Sequence, residues 1–317
     1  MVTLSSPDKV LWPAAGLTKQ DLYDYVLDAA DRLLPQLADR PLSVKRFPRG
    51  VEATGFFVKD TPDHAPPAIG RWREWAHSAD REVAYSLVSD REGLAWMSQQ
   101  NTIEFHPALL RIDRPDRADQ LVFDVDPGQR EVPPARVARW IRGVLQELGL
   151  EPIVKTSGGR GVHVIVPIER RYGPDLLRPL TLAIARLVVE QHPDELTVEM
   201  RKDQRGGRTL VDWSRGGSST LIAAWSPRAH PAATVATPLS WDEVTDDLDP
   251  TRFVMPSVLE RDDPWAEQPR PARLERVVRA VEDRGVTLVD ASPRGRTSSY
   301  LDQDGAVPSA PAAADGA

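Results

Sequence analysis

The sequence predicts an α+β (mixed α/β) fold on three observations: short runs of β-forming residues recur along it, amphipathic helical stretches lie between them, and the two kinds interleave. A bundle would lack the β runs, and a sandwich would lack the helices. Thr18 is an N-cap for a helix over 18–34, in which Leu22, Val26, Ala29, Ala30 and Leu33 share one stripe. Residues 41–47 and 55–59 hold β-formers between turn residues and predict the first strands of a sheet. The proline-containing segment 62–77, with Trp72 and Trp75, reads as irregular connection, 84–88 as a strand and 93–100 as a helix. A strand over 121–126 stops at Pro127-Gly128. Pro133 and Pro134 open a helix that buries Val137, Trp140, Ile141, Val144 and Leu148 and ends at Gly149. Two β-rich runs, 152–156 and 162–167, flank a loop of Ser157, Gly158, Gly159, Arg160 and Gly161. A helix over 176–190, strands over 196–200, 209–213 and 220–225, and a last helix over 270–284 complete a domain of residues 1–290. Residues 291–317, rich in Ser, Pro, Ala and Gly, are expected to be a disordered tail.

Composition narrows the function. No run approaches the roughly 20 apolar residues of a membrane span, and the N-terminus lacks a secretory apolar core, so a cytoplasmic location is expected. With 0 cysteines, disulfide frameworks, thiolate zinc sites and cysteine nucleophiles are excluded, which leaves carboxylates and histidines as metal ligands. A net charge of −7 argues against a protein that coats nucleic acid over its whole surface. Local basic grooves remain open: Lys45, Arg46 and Arg49 form one cluster, and Arg201, Lys202, Arg205 and Arg208, broken only by Asp203, form a denser one. A solvated loop is the plain alternative for either.

Side chains alternate along a strand, so Asp124 and Asp126 point the same way while Leu121, Phe123 and Val125 face the core. Their Cβ atoms are expected about 6.5 Å apart from a rise of ~3.3 Å per residue, a gap that divalent ions bridge. Mg²⁺ or Mn²⁺ suits such oxygen ligands, whereas a bare strand end closed by a Pro-Gly turn also favours Asp. Asp212, beside the basic loop, supplies a third acid, the minimum for a two-metal site; pairing with a nearby arginine is its plain alternative. The glycine loop 157–161 has the backbone freedom to curl N–H groups around an anion, with Arg160 adding charge, although a hairpin turn needs the same glycines. His163 lies on the following strand, where a lone histidine is commonly structural. Phe56 and Phe57 precede Lys59 and neighbour Lys45 and Arg46, a mixture suited to base stacking, with one ring in the core as the alternative.

Together these segments resemble the polymerase domain associated with bacterial DNA ligase D, a branch of the archaeo-eukaryotic primase superfamily. The resemblance rests on SPDKVLWPAAGLTK (6–19), RPLSVKRFPRGV (40–51), GFFVKD (55–60), NTIEFH (101–106), DRPDRADQLVFDVDPG (113–128), KTSGGRGVHV (155–164), EMRKDQRGGRTLVDW (199–213) and SPRAHP (226–231), and covers roughly 3–265. It implies a primase-polymerase core on a mixed β-sheet flanked by helices, with a smaller N-terminal α/β part. It also implies catalytic and metal-ligating roles for Asp124, Asp126 and Asp212, with two Mn²⁺ or Mg²⁺ ions. By the same resemblance Lys45, Phe56, Phe57, Ser157, Arg160, His163 and Arg228 bind the nucleotide, and Lys9 with Lys19 binds a downstream DNA 5′-phosphate. The family departs from this chain at Ser6, where it has asparagine, at Arg160, where it has lysine, and at Asp212-Trp213-Ser214-Arg215-Gly216, where it often reads DYxQN.

The implied activity is metal-dependent addition of NTPs or dNTPs to a 3′-hydroxyl at gaps and broken DNA ends, in non-homologous end joining and at the nucleoid, with Ku and an ATP-dependent DNA ligase as partners. Nothing in the sequence holds a second catalytic module, so the chain reads as a stand-alone polymerase or a fragment. The other readings are a primase that starts chains de novo, a metal-dependent phosphodiesterase using the same acids, and a non-catalytic module that binds DNA ends.

Overall fold

The computed structural model describes residues 2–76, 80–128, 132–215 and 219–288. The expected domain end at 290 and the tail 291–317 lie outside the described residues. Six strands form the larger sheet, in the order Leu196–Thr197, Thr209–Asp212, Gln120–Val125, Val162–Pro167, Ile153–Thr156 and Pro238–Leu239. The first pair is parallel and every other pair antiparallel. Alternation puts Leu121, Phe123 and Val125 on one face and Val122 on the other, yet all four are buried, so the central strand is covered on both faces. Helices Pro134–Glu147 and Pro174–Gln191 pack against this sheet and each other. Pro134 starts the first of them and Gly149, at φ +77°, follows its end, as the sequence leads one to expect.

The second sheet runs Phe56–Val58, Leu42–Arg46, Arg81–Val88 and Ile69–Ala76, with Thr102–Pro107 on the other side of Leu42–Arg46. The N-terminal helices Lys19–Asp28 and Ala30–Leu37 lie in the same half of the chain. The Thr18 side chain accepts from the Asp21 N–H while the Asp21 carboxylate accepts from Thr18, a capping box that fixes the helix start. This is the mixed sheet flanked by helices, with a smaller N-terminal α/β part, that the resemblance implies.

Several elements differ from expectation. The helix over 18–34 is two helices that meet at Ala29. Part of the supposed connection 62–77 is a strand, Ile69–Ala76, paired residue by residue with Arg81–Val88. It runs at a sheet edge with Arg71, Arg73, Glu74 and Trp75 exposed, which leaves no buried alternation to read. The strand over 196–200 stops at Thr197, and Met200 is exposed. Residues 220–225 make no regular strand; Thr220 bridges Ala108, and the Leu221 and Ala223 N–H groups donate to the Pro107 and Phe105 carbonyls. The last helix starts at Glu275, because Ala272 is held extended against Ile168. Among the described residues, no helix is long and apolar enough to cross a membrane.

Candidate active site

The register of the larger sheet sets a row of polar side chains across four strands: Asp212 is opposite Asp124, Asp124 opposite His163, and His163 opposite Lys155. Directly opposed residues share a face, with Cα atoms about 4.5–5.5 Å apart. Asp126 lies two residues further along the central strand, on the same face, where the strand has ended. The three acids expected to work together are therefore neighbours at one end of the sheet.

Their surroundings differ. Asp124 is 8% exposed. Its Oδ1 lies 3.3 Å from His163 Nε2, and its Oδ2 accepts a hydrogen bond of 3.0 Å from Arg215 Nη2. Burial pushes the Asp124 carboxyl up, but the His163 ring, the Arg215 guanidinium and the Lys155 ammonium hold it below the usual carboxylate range. His163 is itself lowered to about 4, by burial first and then by Lys155. Its Nδ1 is buried without a partner among the described residues, which disfavours an imidazolium that would leave a donor unpaired there. The ring is therefore neutral at neutral pH and donates to Asp124 as an uncharged group. Asp212 Oδ1 accepts from the Ser214 N–H at 2.8 Å and the Ser214 hydroxyl at 2.6 Å, while its Oδ2 lies 3.7 Å from Arg215 Nε. Asp126 is exposed and makes no hydrogen bond or ion pair among the described residues. The protein around it, then Asp124 and Asp212, raise its pKa.

As they stand, no three acidic or imidazole side chains among the described residues are gathered into a metal-holding group. Arg215 bridges Asp124 towards Asp212, and Ser214 turns one Asp212 oxygen away. The donor set nonetheless suits a hard divalent cation. Three carboxylates face one end of the sheet, and among the described residues Arg215 is the cation that pairs with both Asp124 and Asp212.

The loop between Thr156 and Val162 meets this row. Ser157 Oγ accepts the Gly159 and Gly161 N–H groups, each at 3.2 Å, and the Ser157 N–H donates to the Gly161 carbonyl. Two N–H groups of the expected anion nest are thus satisfied within the loop, which leaves the serine's own hydroxyl proton for a ligand. Gly158 has φ +70°, and a Cβ there would fall 2.4 Å from Arg228 Cγ and 2.9 Å from the Ala236 nitrogen. At Gly161 a Cβ would fall 2.6 Å from the Val125 carbonyl and 2.7 Å from Asp126 Oδ1. The glycines allow close approach of the loop both to Arg228 and to the acids. Arg160 opens on a pocket of about 290 Å³ lined by Pro127, Gly128, Lys202, Arg205, Gly207 and Arg208. Arg205 donates to the Glu199 and Met200 carbonyls and Arg208 to the Arg205 carbonyl, so backbone groups rather than acids hold this cationic wall.

Arg228 joins the loop to the second sheet. Its Nη1 lies 3.5 Å from Glu104 Oε2, which also pairs with His106 Nε2 at 3.0 Å, while Glu104 Oε1 accepts the Ala229 N–H. Burial raises the Glu104 carboxyl, but the His106 bond, the Arg228 charge and the Ala229 N–H outweigh it and bring it to about 2. Lys45 is opposite both Glu104 and Phe57. Its ammonium lies 5.7 Å from the Phe57 ring centre, and the His106 ring stands edge-on 5.3 Å from Phe57. Phe57 is 57% exposed and Phe56 49%, so neither ring is in the core. Phe56 points to the opposite face and lies 5.9 Å from the Arg46 guanidinium. Only Phe57 therefore shares a face with Lys45, Glu104 and His106.

Lys9 and Lys19 are tied together by the Lys19 N–H, which donates to the Lys9 carbonyl at 2.8 Å. The Lys19 ammonium is buried and donates to the Ser5 carbonyl and Gln99 Oε1. Burial, then Lys9, lowers its pKa. Neither lysine pairs with a carboxylate among the described residues.

Four participants were not singled out from the sequence: Glu104, His106, Lys155 and Arg215 as a partner of the acids. Glu104 and His106 were legible in principle, as a carboxylate and an imidazole two apart on a strand.

A family model described as "LigD, primase-polymerase domain" matches residues 18–266. The multifunctional non-homologous end joining protein LigD of Mycolicibacterium smegmatis is 35% identical over 272 residues, covering 84% of this chain and 35% of that protein. The bifunctional non-homologous end joining protein LigD of Bacillus subtilis is 28% identical over 261 residues, covering 81% of this chain and 42% of the relative. The chain thus spans about a third of the first relative and two fifths of the second. Among solved structures, the polymerase domain of Mycobacterium tuberculosis Ligase D in complex with DNA matches with a TM-score of 0.76 and 35% identity, covering 82% of this chain and 94% of that one. A family match through most of the chain, supported by the same architecture, shows that the chain belongs to the LigD primase-polymerase domain family.

Proposed function

We propose that this chain is a metal-dependent, DNA-directed nucleotidyltransferase that adds NTPs or dNTPs to a 3′-hydroxyl at gaps and broken ends during non-homologous end joining. The observation that carries this reading is the placement of Asp124 opposite Asp212, with Asp126 beside them and a cationic pocket around Arg160 next to Asp126. Asp124, Asp126 and Asp212 would hold two Mg²⁺ or Mn²⁺ ions, which supply electrostatic stabilisation to phosphoryl transfer when bound. The remaining work falls to the chain itself. Arg160 and Arg228 neutralise the polyphosphate from two sides of the glycine loop, and the Ser157 hydroxyl donates to it. His163, neutral and bonded to Asp124, fixes the orientation of that ligand. Lys45 and Phe57 offer a charge and an exposed ring to the nucleotide or template end. Lys9 and Lys19, which pair with no carboxylate among the described residues, would bind a DNA 5′-phosphate.

DNA is the named partner of the similar Mycobacterium tuberculosis polymerase domain. Ku and an ATP-dependent DNA ligase are the companions we propose for it, because the relatives are named for non-homologous end joining. Extension of a labelled primer across a gapped duplex with Mn²⁺ or Mg²⁺ tests the proposal. Arg160→Ala separates it from a phosphodiesterase built on the same acids. A polymerase loses extension with that residue, whereas a nuclease keeps most of its cleavage, and cleavage without any extension overturns the assignment.

A further inference from the structure

Asp124 and Asp212 stand directly opposite each other on adjacent strands, an arrangement in which like charges repel. Among the described residues, the cation set between them is Arg215. Its Nη2 donates to Asp124 Oδ2 at 3.0 Å, and its Nε lies 3.7 Å from Asp212 Oδ2. The fork is incomplete, because Arg215 Nε is buried and makes no hydrogen bond among the described residues. The guanidinium is therefore well enough placed to offset the repulsion, but it does not close a bidentate pair. It contacts one oxygen of each acid, Asp124 Oδ2 and Asp212 Oδ2, and a cation held by both acids would compete for those oxygens. Ser214, which precedes Arg215, already holds the other Asp212 oxygen, so Asp212 has only its Oδ2 to offer.

We propose that Arg215 is an internal counter-cation that holds the Asp124–Asp212 pair when no divalent ion is present and competes directly with the first ion for those carboxylates. This rests on the reading of the three acids as metal ligands. Asp126, which Arg215 does not bond, would then be the acid most open to a divalent ion, and holding an ion through Asp124 and Asp212 as well would require the Arg215 contacts to break. The chain consequently carries a built-in threshold for metal uptake: the same side chain that steadies the empty site weakens its affinity for the ion.

The test measures Mn²⁺ binding by the loss of the free-ion paramagnetic resonance signal, for the whole chain as wild type, Arg215→Gln and Arg215→Lys, without nucleotide or DNA. Removing one charge-assisted hydrogen bond from the competition is expected to tighten Mn²⁺ binding about tenfold in Arg215→Gln. Arg215→Lys, which keeps the charge but not the fork, is expected to fall between the two. In parallel, metal-free Arg215→Gln should melt below the wild type, and saturating Mn²⁺ should raise its melting temperature by more than it raises the wild type's. Measurable binding that is equal in all three proteins, or weaker in Arg215→Gln, overturns the role of Arg215 while leaving the metal site standing. Absence of Mn²⁺ binding from all three overturns the metal site and this inference with it. Should Arg215→Gln not fold, the comparison of Arg215→Lys with wild type decides: about threefold tighter binding supports the inference and equal binding overturns it.

Discussion

Replacing Glu104 by glutamine removes a buried charge that serves three groups at once. Glu104 Oε2 pairs with His106 and lies near Arg228, and Oε1 accepts the Ala229 N–H. Burial alone would raise this carboxyl; the partners instead bring it from 4.5 to about 2. At 1.36 kcal/mol per pKa unit, the shift corresponds to roughly 3 kcal/mol favouring the carboxylate in the folded protein. Because the folded value is the lower one, this contribution is complete above the unfolded value near 4.5 and is lost as the pH falls towards 2. Glutamine keeps an acceptor for Ala229 but turns N–H groups or a weaker acceptor towards His106 and Arg228. We expect a loss of about 2–3 kcal/mol at neutral pH, and a fall in melting temperature of roughly 5–10 °C for a domain of this size. Urea unfolding of both proteins at pH 7.5, 5.5 and 3.5 reads the difference directly. It should be largest at the two higher values and shrink at pH 3.5. Since Arg228 loses its anchor, KM for the nucleotide should rise more than kcat falls. A stability difference under about 0.5 kcal/mol at pH 7.5, or one that does not change with acid, refutes the reasoning.

Two further outcomes follow from the same geometry. Phe57→Ala should leave unfolding almost unchanged, within about 0.5 kcal/mol, because the ring is largely exposed, yet weaken nucleotide or DNA binding by roughly 1–3 kcal/mol for the lost stack; fluorescence anisotropy with a gapped duplex and calorimetry with nucleotide measure both. Lys155 is 1% exposed and among the described residues donates only to the Thr156 carbonyl, and burial, then Arg228, drives its pKa well below 10.5. Lys155→Met should therefore stabilise the protein by about 1–4 kcal/mol at pH 7 while impairing extension. The unfolded state binds the extra proton, so the wild type should gain stability as the pH rises towards 10.5 and the variant should lack that gain; a variant less stable at pH 7 contradicts this.

Elements marked by local chemistry were legible in the sequence, whereas relations across strands were not. Thr18 with Asp21, Pro134 and Gly149 encode helix ends within a few residues, and the structure uses each of them. The apolar run before Pro127 reads as a strand because both its faces are covered. Ile69–Ala76 escaped notice because an exposed edge strand carries Arg71, Arg73 and Glu74 where a buried one would alternate. Thr220 to Trp225 reads as a strand, and Leu221 to Trp225 are buried, but the bonds to Pro107 and Phe105 do not repeat into a ladder. At the site, Asp124 and Asp126 are neighbours through strand period alone. The nearness of Asp212 depends on register, and the seat of Arg215 on the turn at Ser214, neither of which periodicity reveals. The glycine loop was visible, but the capture of its N–H groups by Ser157 was not.

The most direct test of the carboxylate row is Mn²⁺-dependent extension on a gapped duplex by the wild type and Asp126→Asn, with Mn²⁺ binding measured on the same preparations. Asp126 bonds to no other group among the described residues, and neutralising it relieves repulsion from Asp124 and Asp212, so the variant should be at least as stable as the wild type. Asp126→Asn should nonetheless bind Mn²⁺ at least tenfold more weakly and lose extension by about two orders of magnitude or more. A folded Asp126→Asn protein that binds Mn²⁺ and extends primers like the wild type would contradict this.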